Sequence, residues 1–265
     1  LHISYVHTPV RYAWDQMNTY LKRSKLSNLG FEIFIRYFLY KLRRWDYLSG
    51  RRADYLIANS TFTSKRIKKY WGLDSKVIHP PVDVERFKIK KYRDNFYLSV
   101  NRLVPNKRVD LLIKTFNKLN LPLVVVGDGP EKKQLEKISN DNIQLLGNLP
   151  NSKIEDLMSK CRAFIYSGVE DFGIAPVEAM ASGAPVIAYG YGGLLDSVIS
   201  IDNCPRNKIP TGLLFKNQTI NDIYDTVNLF EDKKLWLYFK AEDLNEYAQK
   251  FSTSNFHSKF NSFIE

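Results

Sequence analysis

The chain has 265 residues, of which 44% are hydrophobic; this is enough for two compact globular domains and excludes a disordered chain. Its two cysteines, Cys161 and Cys204, are too few and too far apart for a disulfide framework or a zinc site, and no long apolar run predicts a membrane-spanning helix. The formal net charge of +11 indicates an anionic partner: a nucleic acid, a membrane surface or a phosphorylated ligand.

The first part of the chain predicts short strands that alternate with helices. Apolar runs predict strands at 3–7, 54–58 and 77–83, and helical patterns predict helices at 16–25, 31–45 and 61–71. Asn59 and Ser60 would cap the last of these helices. A charged stretch at 84–92 marks the predicted end of this domain, which would cover residues 1–92.

The stretch between Lys22 and Arg52 is both basic and aromatic. Its second predicted helix interleaves aromatic side chains with Arg36, Lys41, Arg43 and Arg44. Two interpretations stay open. The stretch is either an interfacial surface for an anionic membrane or an ordinary helix pair with aromatic residues in its core and solvated charges.

The second part of the chain has a more regular pattern. Predicted strands lie at 96–100, 122–126, 143–146, 163–166, 185–188 and 212–215, and predicted helices lie at 109–119, 131–139, 152–160 and 175–181. Apolar strands that alternate with amphipathic helices indicate an α/β domain with a doubly wound parallel sheet, over residues 93–240. The tail, 241–265, is predicted to be a terminal helix that crosses back to the first domain.

Charged residues and glycines are concentrated in the loops that follow the predicted strands. Arg102 and Lys107 follow the first strand, and Gly127 opens a Gly-Asp-Gly-Pro turn after the second. In a parallel sheet these loops meet at one edge, where a ligand binds. Two cations there would suit a diphosphate. Taken alone, Arg102 and Lys107 could equally be solvated loop charges.

Two carboxylates stand in an otherwise apolar stretch. Glu170 lies in the loop after the predicted strand 163–166, and Glu178 lies in the helix that follows. A buried carboxylate needs a partner, and ribose or sugar hydroxyls would provide one for each. At the start of the helix, the backbone amides of Phe172, Gly173 and Ile174 would face the same ligand. A nucleic-acid-binding protein would be basic and aromatic too, but would not need these carboxylates.

The spacing of Glu170 and Glu178, with seven residues between them, resembles the E-x7-E signature of the retaining glycosyltransferases of family 4. Further segments are similar to that family over about the whole chain: Arg102 with Lys107, 126–130, 147–149, 183–188, 211–215, 58–60 and 80–83. The resemblance implies a GT-B architecture of two Rossmann-like domains. It also implies a strand and a glycine-rich loop upstream of Leu1, so we expect the first domain to be incomplete and the chain to be N-terminally truncated.

The resemblance assigns a role to each candidate residue. Arg102 and Lys107 would hold the diphosphate of a sugar nucleotide, and Glu178 its ribose. The loop at Leu149 would hold the base, Glu170 the transferred sugar, and His7 would face that sugar from the first domain.

The segment 7–15 is similar to that of bacterial O-antigen mannosyltransferases. The expected activity is transfer of a hexose, with mannose from GDP-mannose favoured, to a hydroxyl of a growing, lipid-linked cell-surface polysaccharide such as a lipopolysaccharide. No Asp-x-Asp-like pair occurs in a suitable loop, so we expect a metal-independent enzyme without a cofactor and without a nucleic-acid partner. The expected location is the cytoplasm, at the inner face of the plasma membrane. The alternative is a catalytically incomplete fragment that only binds a sugar nucleotide.

Overall fold

The structure is a computed structural model that describes residues 1–15 and 32–265. The predicted helix at 16–25, with Lys22, Arg23 and Lys25, lies outside the described residues. Contacts between Cα atoms divide the chain into two compact units, Leu1–His79 and Pro80–Glu265. Among the described helices, none is long and apolar enough to cross a bilayer.

The first unit has a three-stranded parallel sheet in the order β1-β2-β3, formed by Ile3–Val6, Tyr55–Ala58 and Lys76–Val77. Its described helices are Arg11–Trp14, Glu32–Gly50 and Thr61–Trp71. The predicted cap of the last helix is confirmed, since Ser60 Oγ accepts a hydrogen bond of 3.0 Å from the amide of Thr63.

Two predicted boundaries in this unit are wrong. The strand predicted at 77–83 ends at Val77, because Pro80 and Pro81 have no amide hydrogen for a sheet. The helix predicted at 31–45 continues to Gly50. Its additional turn holds Asp46, one carboxylate oxygen of which accepts the indole hydrogens of Trp14 and Trp71, each at 2.7 Å.

The division between the units also falls earlier than predicted. It lies after His79 rather than at residue 92. Val82, from the predicted strand, and Val84 and Phe87, from the charged stretch, are at most 5% exposed and belong to the hydrophobic core of the second unit. The sequence of this segment is dominated by charged residues, so the few apolar side chains that anchor it in the core were not recognised.

The second unit has six parallel strands in the order β6-β5-β4-β7-β8-β9. These strands are β4 Tyr97–Val100, β5 Leu123–Val126, β6 Ile143–Leu145, β7 Ala163–Tyr166, β8 Val186–Tyr189 and β9 Gly212–Phe215. Renumbered within the unit, the order is 3-2-1-4-5-6, which is that of a Rossmann fold. The predicted doubly wound parallel sheet is confirmed.

The helices of the second unit cover both faces of this sheet, which is why its strands are continuous apolar runs. They comprise Val109–Leu119, Lys132–Ile138, Asn151–Lys160, Ile174–Ala181, Leu194–Ser197, Ile220–Asp232, Ala241–Ala248 and Thr253–Ile264. Cys161, at the end of one of them, is fully buried, and burial raises the pKa of its thiol to about 12. Cys204 is partly exposed.

The tail has a partner that the sequence did not reveal. The helix Ala241–Ala248 packs on the helix Ile174–Ala181 inside the second unit. Leu244 and Ala248 are fully buried there, and the side-chain amide of Asn245 donates to the carbonyl of Ala181. That the tail crosses back to the first domain stays a prediction.

Candidate functional site

The site lies where the order of the strands reverses. β4 pairs with β5 on one side and with β7 on the other, and the chain leaves these two central strands in opposite directions. In folds of this kind, ligands bind at the carboxyl edge of the sheet, beside the loops that follow two such strands. Lys107 follows β4, and Glu170 follows β7.

Lys107 and Glu170 form an ion pair at this edge of the sheet. The ammonium group of Lys107 contacts Oε1 of Glu170, and each side chain is 20% exposed. The hydroxyl of Tyr166 donates to the same oxygen, and Lys107 Nζ lies 5.8 Å from the centre of the Tyr166 ring. A cation and a carboxylate thus share one half-buried position above the switch point.

The two loops that carry this pair are tied together below it. Ser167 Oγ, which is buried, lies within 3.0 Å of the carbonyl oxygens of both Lys107 and Arg108. Gly168 packs so closely that a Cβ atom there would lie 3.0 Å from the Cα of Lys107. Gln218 donates to the carbonyl of Ser167 at 2.7 Å. The ion pair is therefore placed by backbone contacts and not by its own attraction alone.

A third loop, after β8, fixes the backbone of Glu170. The amide of Gly193 donates to the carbonyl of Glu170 at 2.8 Å, and Gly192 pairs with Glu170 as an isolated parallel bridge. A Cβ atom at Gly193 would lie 2.0 Å from the carbonyl oxygen of Asp171. In the structure these glycines let one loop approach another.

Glu178 is held by an arginine. It lies in the helix Ile174–Ala181, and its Oε1 accepts a hydrogen bond of 2.7 Å from Nη2 of Arg86. Nε of Arg86 also lies 3.6 Å from Oε1 of Glu155. Burial raises the pKa of Glu178 above its usual range, and the positive charge of Arg86 opposes this shift. The expectation that this carboxylate needs a partner is met inside the protein.

The remaining candidates after β4 and β5 do not join this cluster. Arg102 is exposed, and its side chain has no ion pair in the described part of the chain. Gly127 donates its amide hydrogen to the carbonyl of Gly147 at 2.8 Å, so that hydrogen is not available to a ligand in this arrangement. A Cβ atom at Gly127 would lie 1.7 Å from the carbonyl oxygen of Asn101, which explains the glycine.

The candidates around the helix start are placed as follows. Phe172 is 3% exposed, and its ring packs against Phe251 with centroids 5.4 Å apart, so only its backbone can serve a ligand. Gly173 has a left-handed φ of 97°, and Ile174 is 48% exposed. Leu149 packs, partly buried, against the core of the unit.

His7 belongs to the first unit. It follows β1, is exposed, and its ring meets that of Tyr5 edge-on at 5.4 Å. Its carbonyl accepts a hydrogen bond from the hydroxyl of Thr63 at 3.2 Å. Its predicted role toward the sugar stays a prediction.

Three residues of the site were missed from sequence. Tyr166, Ser167 and Arg86 contact Glu170, the Lys107 loop and Glu178 respectively. Tyr166 and Ser167 directly precede and follow the end of a predicted strand, and this position could have drawn attention to them. Arg86 lies 92 residues from Glu178, and nothing in the sequence pattern pairs the two.

No three His, Cys, Asp or Glu side chains of residues 1–15 and 32–265 lie together as a metal site would require. The expected independence of metals stays a prediction.

The strand order defines the second unit as a Rossmann-like domain, a fold in which ligands bind at the switch point. The sequence profile of the family described as glycosyl transferases group 1 matches residues 82–251, which is nearly all of this unit. The chain belongs to the glycosyl transferases group 1.

Individual relatives of this chain are also glycosyltransferases by name. The chain is 26% identical over 309 aligned residues to the human GDP-Man:Man(3)GlcNAc(2)-PP-Dol alpha-1,2-mannosyltransferase, covering 99% of the chain and 60% of that protein. It is 29% identical over 153 residues to the O-antigen chain mannosyltransferase RfbU of Salmonella typhimurium, covering 53% and 43%. It spans about half the length of the curated relatives that it matches.

A solved structure supports the fold over the whole chain. The Anabaena protein HepE, in complex with UDP and glucose, matches with a TM-score of 0.75 at 18% identity, covering 99% of this chain and 70% of HepE. Together with the parallel sheets of both units, this likeness confirms the predicted α/β fold of GT-B type with two Rossmann-like domains.

Proposed function

We propose that this chain is part of a retaining glycosyltransferase that moves a hexose from a nucleoside diphosphate sugar to a hydroxyl of a growing glycan. The observation that carries the proposal is the pairing of Lys107 with Glu170 at the switch point of the second sheet. A cation for a diphosphate and a carboxylate for sugar hydroxyls stand side by side where a nucleotide sugar would have its pyrophosphate–sugar junction.

The pair suggests how the donor is received. A phosphate oxygen would replace Glu170 as the partner of Lys107, and Glu170 would then accept hydrogen bonds from the sugar. During transfer the bond between the anomeric carbon and the diphosphate oxygen breaks, and the acceptor oxygen bonds to that carbon on the same face. The hydroxyl proton passes to the departing phosphate. Lys107, with Arg102 on the same loop, would stabilise the charge that develops on the diphosphate.

Mannose from GDP-mannose is the favoured donor, because the curated relatives named above are mannosyltransferases and the name of one specifies GDP-mannose. HepE was crystallised with UDP and glucose, so UDP-glucose is the competitor to test. The name of the human relative specifies a lipid-linked glycan as acceptor, and that of RfbU specifies an O-antigen chain. We propose that the acceptor of this protein is also a lipid-linked glycan of the cell surface.

The test is donor turnover by the chain and its variants. We expect GDP-mannose to be consumed, and Lys107→Ala and Glu178→Ala each to abolish consumption, while Lys114→Ala, an exposed lysine of the next helix, has no effect. Wild-type turnover in both site variants would refute the assignment. Tight GDP binding without turnover would support the alternative, a binding fragment.

The same assay tests metal dependence. Because Lys107 and Arg102 supply the positive charge, turnover should persist after exhaustive treatment with EDTA. Loss of turnover that Mg²⁺ or Mn²⁺ restores would contradict this.

The helix Glu32–Gly50 favours a membrane contact for the whole protein, at the inner face of the plasma membrane. Large aromatic side chains on it are more than half exposed: Phe34, Tyr37, Phe38, Tyr40 and Trp45. Lys41 and Arg44 are exposed beside them. An amphipathic surface of aromatic and basic residues suits the headgroup region of an anionic membrane, which would also hold a lipid-linked acceptor.

Liposome flotation tests this contact. We expect the chain to float with vesicles containing phosphatidylglycerol at about 0.1 M salt, and to be released at about 0.5 M, since screening weakens surface attraction. Lys41→Glu with Arg44→Glu should abolish flotation, whereas Lys133→Glu with Lys137→Glu, two exposed lysines of the helix Lys132–Ile138, should not. Equal effects of the two double variants would contradict a specific contact of this helix and show that any positive charge on the protein supports flotation.

A further inference from the structure

Arg86 lies on a short turn that is fixed on both sides. The turn Val84–Arg86 follows the passage of the chain from the first unit to the second. Val84 is 1% exposed and Phe87 is 5% exposed, and both belong to the core of the second unit. The guanidinium group of Arg86 lies 4.6 Å from the centre of the Phe87 ring. The side chain therefore projects from an anchored backbone and packs on an anchored ring.

The contact between Arg86 and Glu178 uses one of the two carboxylate oxygens. Oε1 accepts from Arg86 at 2.7 Å. Oε2 has no hydrogen-bond partner within residues 1–15 and 32–265, and it is not buried. The side chain of Glu178 is 20% exposed. One oxygen is thus committed to the protein, and the other is accessible and lacks a donor.

We propose that Arg86 is a positioning residue for the nucleotide: by binding Oε1 it fixes the carboxylate of Glu178 and leaves Oε2 as the acceptor for a hydroxyl of a ligand's ribose. This inference rests on the proposed function, because it takes a nucleoside diphosphate as the ligand. It adds a role for a residue outside the loops of the switch point, on the segment that enters the second unit.

The charges around Glu178 make Arg86 more than a mechanical support. Burial, together with the carboxylates of Glu155 and Asp83, raises the pKa of Glu178, and Arg86 opposes all three. Glu155 belongs to the helix Asn151–Lys160 and Asp83 precedes the turn of Arg86. Without Arg86, Glu178 would bind a proton at higher pH, and a protonated carboxyl accepts a ribose hydroxyl less well.

The binding test compares two ligands and three variants by calorimetry. Arg86→Met should weaken GDP binding about tenfold at neutral pH, the loss of one hydrogen bond to a charged group. It should leave the affinity for 2′,3′-dideoxy-GDP unchanged, because this ligand has no ribose hydroxyl for Glu178. Arg86→Lys should restore part of the loss. Arg162→Met, which breaks a matched ion pair with Glu231 elsewhere in the unit, should change neither affinity.

The pH dependence gives a second readout. The affinity for GDP should fall as pH decreases through the pKa of Glu178, and in Arg86→Met this fall should occur about one to three pH units higher. Equal weakening of GDP and 2′,3′-dideoxy-GDP, without a shifted pH dependence, would overturn the inference and reduce Arg86 to a structural role.

A titration without ligand separates this inference from the proposed function. Carbon-13 NMR of labelled glutamate carboxyls follows Glu178 directly, with Glu178→Gln to assign its signal. We expect the midpoint to rise in Arg86→Met and to decrease in Glu155→Gln, which removes an opposing carboxylate and provides a test should Arg86→Met not fold. An unchanged midpoint in these variants would overturn the inference. If the midpoints shift but neither GDP nor UDP binds, the proposed function fails while the control of Glu178 by Arg86 stands.

Discussion

Glu170 receives two donors on one oxygen, the ammonium group of Lys107 and the hydroxyl of Tyr166. Under the proposed function a phosphate would replace Glu170 as the partner of Lys107, whereas Tyr166 is 3% exposed and is fixed by packing. If a diphosphate takes Lys107, Tyr166 remains to hold Glu170 in place. The tyrosine would then matter more in the complex than in the free protein.

Tyr166→Phe tests this role, because it removes the hydroxyl and keeps the ring. We expect kcat to fall about tenfold or more, as for a hydrogen bond to a charged group, with little change in GDP affinity. Tyr92→Phe, at a side chain that is 77% exposed, is the control. Steady-state kinetics with GDP-mannose and calorimetry with GDP provide the two measurements, and an unchanged kcat would contradict the role.

Sequence reasoning identified Lys107, Glu170 and Glu178, but not the other residues that hold them in place. Glu170 and Lys107 could be found because each follows a strand, and strand ends share one edge of a parallel sheet. Glu178 could be found as a carboxylate in an apolar stretch. Arg86, Tyr166 and the use of the Gly127 amide could not, because they depend on side-chain and loop geometry between distant segments.

At the scale of elements, one arginine binds the carboxyl-terminal ends of two helices of the second unit. Arg93 donates hydrogen bonds to the carbonyls of Met158 and Cys161, at 3.2 and 2.9 Å, and to that of Ser182 at 2.7 Å. These carbonyls lie at the ends of the helices Asn151–Lys160 and Ile174–Ala181. The last carbonyls of a helix have no partner inside it, and a cation there is favourable.

Arg93→Met should therefore destabilise the second unit by about 3 kcal/mol, since it leaves buried carbonyls without donors. Arg206→Met is the matched control, because Arg206 is exposed and has no ion pair in the described ranges. Urea unfolding followed by circular dichroism measures both. A loss below about 0.5 kcal/mol for Arg93→Met would show that water replaces the guanidinium group.

The loop after β8 gives a second prediction at this scale. In Gly193→Ala, the added methyl group would lie 2.0 Å from the carbonyl oxygen of Asp171. The φ of Gly193 is −69°, which any residue can adopt, so the strain would come from this clash alone. We expect a loss of about 1–3 kcal/mol in stability, and weaker donor turnover because the loop of Glu170 must move. Thermal unfolding and turnover of the same preparation check the two effects; wild-type values for both would show that the loop yields freely.

Elements were predicted best where one pattern dominated. The strands of the second unit are continuous apolar runs, and this pattern indicates a parallel sheet that is covered on both faces. Prediction failed where a long-range contact decided the outcome. The segment from Val82 to Phe87 was assigned to the end of the first domain, and the partner of the helix Ala241–Ala248 was not recognised. In both cases charged residues surround a few apolar ones that pack on a distant helix or strand.

At the scale of the whole molecule, the charge is divided unevenly. Residues 1–79 contain 15 Lys and Arg against 5 Asp and Glu, while residues 80–265 contain 24 against 23. The first unit therefore carries nearly all of the net charge of +11. The unit with the proposed donor site is close to neutral, and the unit with the exposed aromatic helix is strongly basic, which suits a division between ligand chemistry and surface attraction.

The separate hydrophobic cores of the units lead to a prediction for ligand binding. GDP at about a hundred times its Kd should stabilise the unit that binds it by about 2.7 kcal/mol. If the second unit provides most of the contacts, hydrogen exchange should slow in the core of residues 80–265 and hardly change in that of residues 1–79. Mass spectrometry of peptides resolves the two regions, and equal protection in both would contradict the assignment.

The different settings of the two cysteines make the protein suitable for site-selective labelling without mutagenesis. A maleimide reacts with the thiolate, so the buried thiol of Cys161, with its raised pKa, should be inert in the folded protein. Cys204, which is partly exposed, should accept a single fluorophore. Since it directly follows the turn Ile201–Asn203 and precedes β9, a dye there would report on the second unit without occupying the carboxyl edge of its sheet.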